Sequence, residues 1–114
     1  MIRRSVYVAG LAVVAAMFFA VSPLVTAGAQ QPAVVEVKID NFSFGPQAQS
    51  VAVGTTVSWT NRDDIPHTVV STDGVFKSKV LDTDEKFSYT FAKAGTFSYY
   101  CSIHPKMTGK IVVQ

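Results

Sequence analysis

Residues 86–101 read KFSYTFAKAGTFSYYC, and the alternation inside that stretch decides the fold. Phe87, Tyr89 and Phe91 occupy every second position, with Lys86, Ser88 and Thr90 between them. Successive side chains of a strand point to opposite faces, so one face here is aromatic and the other polar. Ala94-Gly95 interrupts the run, and Phe97 and Tyr99 then resume it on one face. Cys101 continues that row, which puts the thiol on the core side at the end of its strand.

The same β-branched, alternating character recurs on either side. It is present in VVEVKID (34–40), SVAV (50–53), TTVSWTN (55–61), HTVVS (67–71) and GKIVVQ (109–114). Turn signals separate the runs at Gly45-Pro46, Gly54, Asp73-Gly74 and Gly109, and no stretch carries the 3.6-residue period of an amphipathic helix. Seven or eight short strands in one small domain predict an all-β fold, an antiparallel sandwich with Greek-key connections. Trp59 is expected in its core. Asp82 to Glu85 reads as a solvated acidic turn rather than a calcium loop, because Phe87 stands where such a loop needs glycine.

The N-terminus is of another kind. Arg3 and Arg4 precede an apolar run from Val6 to Val21, and small residues follow, with Ala27 and Ala29 in an A-x-A arrangement. That pattern predicts a signal peptide over residues 1–29, cleaved after Ala29, and a single domain over 30–114. Left uncleaved, the apolar run is long enough to anchor the chain in a bilayer, the one route to a membrane that the sequence offers. Removing Arg3 and Arg4 leaves eight Lys and Arg against eight Asp and Glu, a net charge near zero. The lysines are dispersed, which excludes the basic stripe of a nucleic-acid-binding domain. The expected location is the periplasm or an equivalent exported compartment, where one cysteine without an internal partner suggests a ligating or reactive thiol.

The residues around that cysteine give it a use. In YYCSIHPKMTG (99–109), Cys101, His104 and Met107 follow one another at three-residue intervals, so one tight turn can direct all three side chains inward. They supply a thiolate, an imidazole and a thioether. A second imidazole would complete two histidines, one cysteine and a weak axial methionine, the ligand set of blue-copper electron-transfer sites. His67 is the chain's other histidine, placed after a proline at the start of a strand-like run. Structural zinc prefers four strong ligands, whereas soft sulfur suits Cu(I) and imidazole suits Cu(II). A mixed set therefore points to one copper ion cycling by one electron.

VSWTNRDDIPHTV and YYCSIHPKMTGKIVV together resemble the cupredoxins, the type 1 blue copper proteins. The Cys-x2-His-x2-Met spacing is most similar to the amicyanin branch, whose ligand loop is the shortest, and the resemblance runs from VVEVKIDNFSFGP to the last strand. It implies an eight-stranded Greek-key sandwich with His67, Cys101, His104 and Met107 as copper ligands. It implies further that Asn61 ties the two ligand-bearing loops together. It also implies a monomer whose redox partners dock transiently near His104, on an apolar patch made here by Ile65, Pro66, Ile103 and Pro105. Ile103 stands where the branch usually has proline and Lys106 where it usually has an aromatic residue, so that branch's partner enzyme is not carried over. Two other readings compete: a copper-delivery module of the same fold, and an enzyme with Cys101 as nucleophile and His67 or His104 as base. The second lacks any evident oxyanion-hole loop.

Overall fold

The computed structural model describes residues 33–114 as eight strands in two sheets. The signal peptide expected over 1–29 lies outside the described residues. One sheet has the order β2 (Ser43–Gly45), β1 (Val34–Asp40), β4 (Thr56–Asn61), β6 (Lys86–Thr90). The other has the order β3 (Ala48–Val51), β8 (Thr108–Val113), β7 (Gly95–Tyr100), β5 (Val70–Ser71). The sandwich, its strand number and the absence of helix among the described residues agree with the alternation read from the sequence. Its pairings are mixed, however. β1 pairs β4 and β3 pairs β8 in parallel, while the other four pairings are antiparallel. Apart from the β1–β2 and β7–β8 returns, the chain crosses between the sheets, so strands running the same way come to lie side by side.

The buried faces meet where period two placed them. Val37, Ile39, Val57 and Trp59 from one sheet face Tyr99, Cys101, Ile111 and Val113 from the other. Trp59 is fully buried, with its ring 5.3 Å from Tyr99, 5.5 Å from Phe76 and 5.6 Å from Phe87. Phe87, Tyr89 and Phe97 pack half-buried against this cluster, on the face expected of them. Phe76 and Leu81 complete it from the long connection between β5 and β6, which has no strand alternation.

At one end of the sandwich three connections converge: the two-residue β1–β2 turn, residues 62–69 after β4, and residues 101–107 after β7. Asp40 pairs with Ser43, and Asn41 and Phe42 between them both take positive φ, 54° and 57°. A tight hairpin of this kind needs positive φ at both positions, at about 1–2 kcal/mol for a residue bearing a β-carbon. Asp63 holds the turn, its carboxylate accepting hydrogen bonds from the Asn41 amide (2.6 Å) and the Phe42 amide (3.0 Å).

Candidate metal centre

His67, Cys101 and His104 come together at this end, their ligating atoms within 4.8 Å of one another. The Cys101 sulfur lies 3.7 Å from Nδ1 of His67 and 3.9 Å from Nδ1 of His104. Cys101 and His67 are fully buried and Met107 nearly so, whereas His104 is half-buried. Each is delivered by its local chain. Cys101 extends the core face of β7. The backbone then folds back, with the Met107 amide bonding the His104 carbonyl (2.8 Å) and the Cys101 amide bonding the Met107 carbonyl (3.1 Å). His67 is pinned by two backbone bonds to Leu81, 3.1 and 2.8 Å.

The surroundings prepare these atoms for a metal. Nε2 of His67 lies 2.8 Å from Oδ2 of Asp63. A carboxylate at that distance favours the proton on Nε2 and leaves the Nδ1 lone pair facing the cysteine. Burial pushes the Asp63 carboxyl up, but the Phe42 and Asn41 amides and His67 outweigh it and hold the group below the usual range. The thiol shows the same contest. Burial pushes Cys101 up, yet the Thr68 amide, the His67 ring and the amides of His104 and Ile103 bring it down to about 6. The Thr68 amide donates to the sulfur at 3.4 Å and the Thr68 hydroxyl at 3.8 Å. A thiolate stabilised before any ion arrives, facing two imidazole nitrogens, fits a soft one-electron metal.

All four residues expected from the sequence thus belong to this end of the fold. Asn61 behaves differently from its expected role. Its side chain is fully buried and donates to the carbonyls of Ile65 and Leu81, both at 2.9 Å, and accepts from the Asp63 amide at 2.8 Å. It shapes the loop that carries His67 and fastens it to Leu81, without reaching the cysteine loop. The reason is positional: Asn61 closes β4, and its amide turns toward one carbonyl of its own connection and one of the β5–β6 connection. The bond between the two ligand loops falls to Thr68, whose hydroxyl takes the Ser102 amide (2.8 Å) and meets the Ser102 hydroxyl (2.8 Å). Asp63, Thr68 and Phe42 were not singled out in the sequence. The carboxylate four residues before His67 was the one available signal for Asp63.

The expected patch residues are solvent-facing, and Ile103 and Pro105 flank His104 in the chain. Ile65 and Ile103 are 36% and 43% exposed, and Pro66, Pro105 and Lys106 are exposed beside them. Phe42 adds a half-exposed ring that the sequence reading left out.

Comparison with known proteins agrees with this geometry. A family model described as a cupredoxin-like domain matches residues 10–113. Amicyanin from Paracoccus denitrificans is 37% identical over 98 residues, covering 82% of this chain and 74% of that protein. Among solved structures, the Cu(I) form of an amicyanin mutant superposes with a TM-score of 0.68 at 35% identity, covering 77% of this chain and 88% of that one. A purple cupredoxin from Nitrosopumilus maritimus gives 0.66 at 33% identity, covering 70% of this chain and 99% of that one.

Proposed function

This chain belongs to the cupredoxin family, and we propose that His67, Cys101, His104 and Met107 hold its single type 1 copper ion while it carries electrons one at a time between redox partners. When bound, copper supplies a Cu(II)/Cu(I) couple that takes up and gives back one electron. Everything else is done by the chain. The observation that carries the assignment is the convergence of one thiolate and two imidazole nitrogens within 4.8 Å, inside a frame already bonded by Asp63, Asn61 and Thr68. Ligands held by such contacts rearrange little when charge changes, which favours rapid transfer.

The buried sulfur also speaks against the competing readings. Cys101 has no exposed surface, so a substrate has no line of approach to it as a nucleophile. Copper delivery calls for a site that opens readily, and here Cys101, His67 and Met107 are buried. The half-buried ring of His104 is the ligand nearest solvent and serves as the electron port, with Ile65, Pro66, Ile103 and Pro105 as the apolar surface on which partners settle. Weak, small contacts suit a carrier that must release quickly. The leader over residues 1–29 supports a periplasmic location for the domain over 30–114.

Addition of Cu(II) to the purified domain tests the assignment. It should produce an intense visible thiolate-to-copper absorption, and Cys101→Ser should abolish it. A copper-loaded protein without colour would overturn the reading.

A further inference from the structure

The β1–β2 turn departs from the residue preference of its type. Its second position, which favours glycine, carries Phe42 at a φ of 57°. Burial does not account for the choice, because Phe42 remains 46% exposed. Residues kept in disfavoured backbone regions persist where the surroundings overdetermine them, and they cluster at working sites. Here the ring of Phe42 stands edge-on to both imidazoles, with centroids 5.6 Å from His67 and 5.1 Å from His104 and interplanar angles of 90° and 89°.

The two histidines differ in what else restrains them. His67 is enclosed, and its Nε2 is taken by Asp63. His104 is half-buried between exposed Ile103 and Pro105. Among the described residues, its ring makes no hydrogen bond to oxygen; Nδ1 approaches the Cys101 sulfur at 3.9 Å. Its aromatic neighbours are Phe42 and the His67 ring, the latter at 5.1 Å. Packing against Phe42 is therefore a large share of what orients it.

We propose that Phe42 is a positioning residue of the metal centre: its ring, anchored through Asp63, clamps the His104 imidazole in the orientation that ligation needs. The proposal rests on the copper assignment only for calling His104 a ligand, since the clamp belongs to the metal-free chain. One carboxylate then orients both imidazoles, His67 by direct contact and His104 through the turn whose amides it holds. A single edge-to-face pair changes an equilibrium by roughly two- to tenfold, so its loss should be measurable.

Three variants of the full chain test it: Phe42→Leu keeps apolar bulk, Phe42→Tyr keeps the ring, and Phe42→Gly removes the ring while relieving the backbone. In metal-free protein, NMR relaxation of the His104 ring should show it more disordered in the Leu and Gly variants and unchanged in Tyr. In Cu(I)-loaded protein challenged with a Cu(I) chelator, release should be faster by about fivefold in Leu and Gly, and within about twofold of the parent in Tyr. Folding stability of the metal-free Gly variant should not fall, which separates loss of the clamp from loss of the fold. Unchanged ring order in both Leu and Gly would overturn the proposal. So would an effect confined to Gly, which would assign it to the backbone, or ring disorder without faster release. Should the parent itself retain no copper, the copper assignment fails, and the metal-free measurement still decides the clamp.

Discussion

Gly109 has no room for a side chain: a β-carbon there would lie 2.5 Å from both Cζ and Oη of Tyr99. Gly109 pairs with Tyr99 across β7 and β8, so the clash cannot be relieved without moving a fully buried ring two residues from Cys101. Gly109→Ala should therefore destabilise the domain by about 1–3 kcal/mol in urea unfolding, the usual range for overpacking. A loss below about 0.5 kcal/mol would mean that the ring yields. Oη of the same tyrosine and Nε1 of Trp59 are both buried, and neither has a hydrogen-bond partner among the described residues. Burial pushes the Tyr99 phenol up to about 12, the indole pulling weakly the other way. A group whose folded pKa exceeds its unfolded value contributes stability below the unfolded value, here 10.0, and loses it as pH rises toward about 12. The domain should thus weaken between those limits, and Tyr99→Phe should flatten that part of the denaturation profile. Near neutral pH the same variant should gain about 1 kcal/mol, because it removes an unpaired polar group from the core. A loss of similar size would indicate a partner for the hydroxyl.

Between the elements, Thr68 carries the contact that joins the loop after β4 to the loop after β7. Thr68→Val keeps the shape but removes the hydroxyl from both the Cys101 sulfur and the Ser102 amide. Stability of the metal-free protein should fall by about 1–2 kcal/mol as the Ser102 amide loses its partner. In loaded protein a thiolate with one donor fewer gives more charge to the metal, which favours the oxidised state. The reduction potential should drop by roughly 20–60 mV, the one-electron equivalent of about 0.5–1.4 kcal/mol. A potential that rises, or does not move, would assign the sulfur's environment to the Thr68 amide alone. This contact also marks where the sequence stops being informative. The strands were legible because a two-residue period is local, and the four ligands because sulfur and imidazole are scarce in this chain and chemically distinctive. β2 was not legible, being three residues long, and neither were the parallel pairings, which depend on which strand arrives alongside from elsewhere. Asp63, Thr68 and Phe42 are ordinary residue types whose roles appear only when segments 20 to 33 residues apart are folded onto one end, and the destination of the Asn61 amide depends on the same convergence.

At the scale of the whole molecule, that end differs from the rest of the surface. Phe42, whose ring packs on His104, and Ile103 beside it in the chain are exposed apolar side chains, while residues 30–114 carry no net charge to steer an approaching partner from a distance. Local charge then governs encounter, and Lys106, exposed and two residues from His104, is the cation closest to it in the chain. Two other cations are already paired: Arg62 bonds Asp84 at 2.7 Å, and Lys79 reaches Glu85 at 3.4 Å. When a reduced and an oxidised copy exchange an electron through the proposed port, their two Lys106 ammonium groups approach each other. Like charges about 8 Å apart in water repel by about 0.5 kcal/mol, roughly a twofold effect on rate. Lys106→Ala should therefore raise electron self-exchange, measured by NMR line broadening in mixtures of the two oxidation states, by about twofold at low ionic strength. The advantage should shrink near 0.1 M salt, where screening acts over about 10 Å, and vanish well above it. An increase that persists in high salt would have to come from the shape of the loop, and no increase at all would place Lys106 outside the surface through which the electron passes.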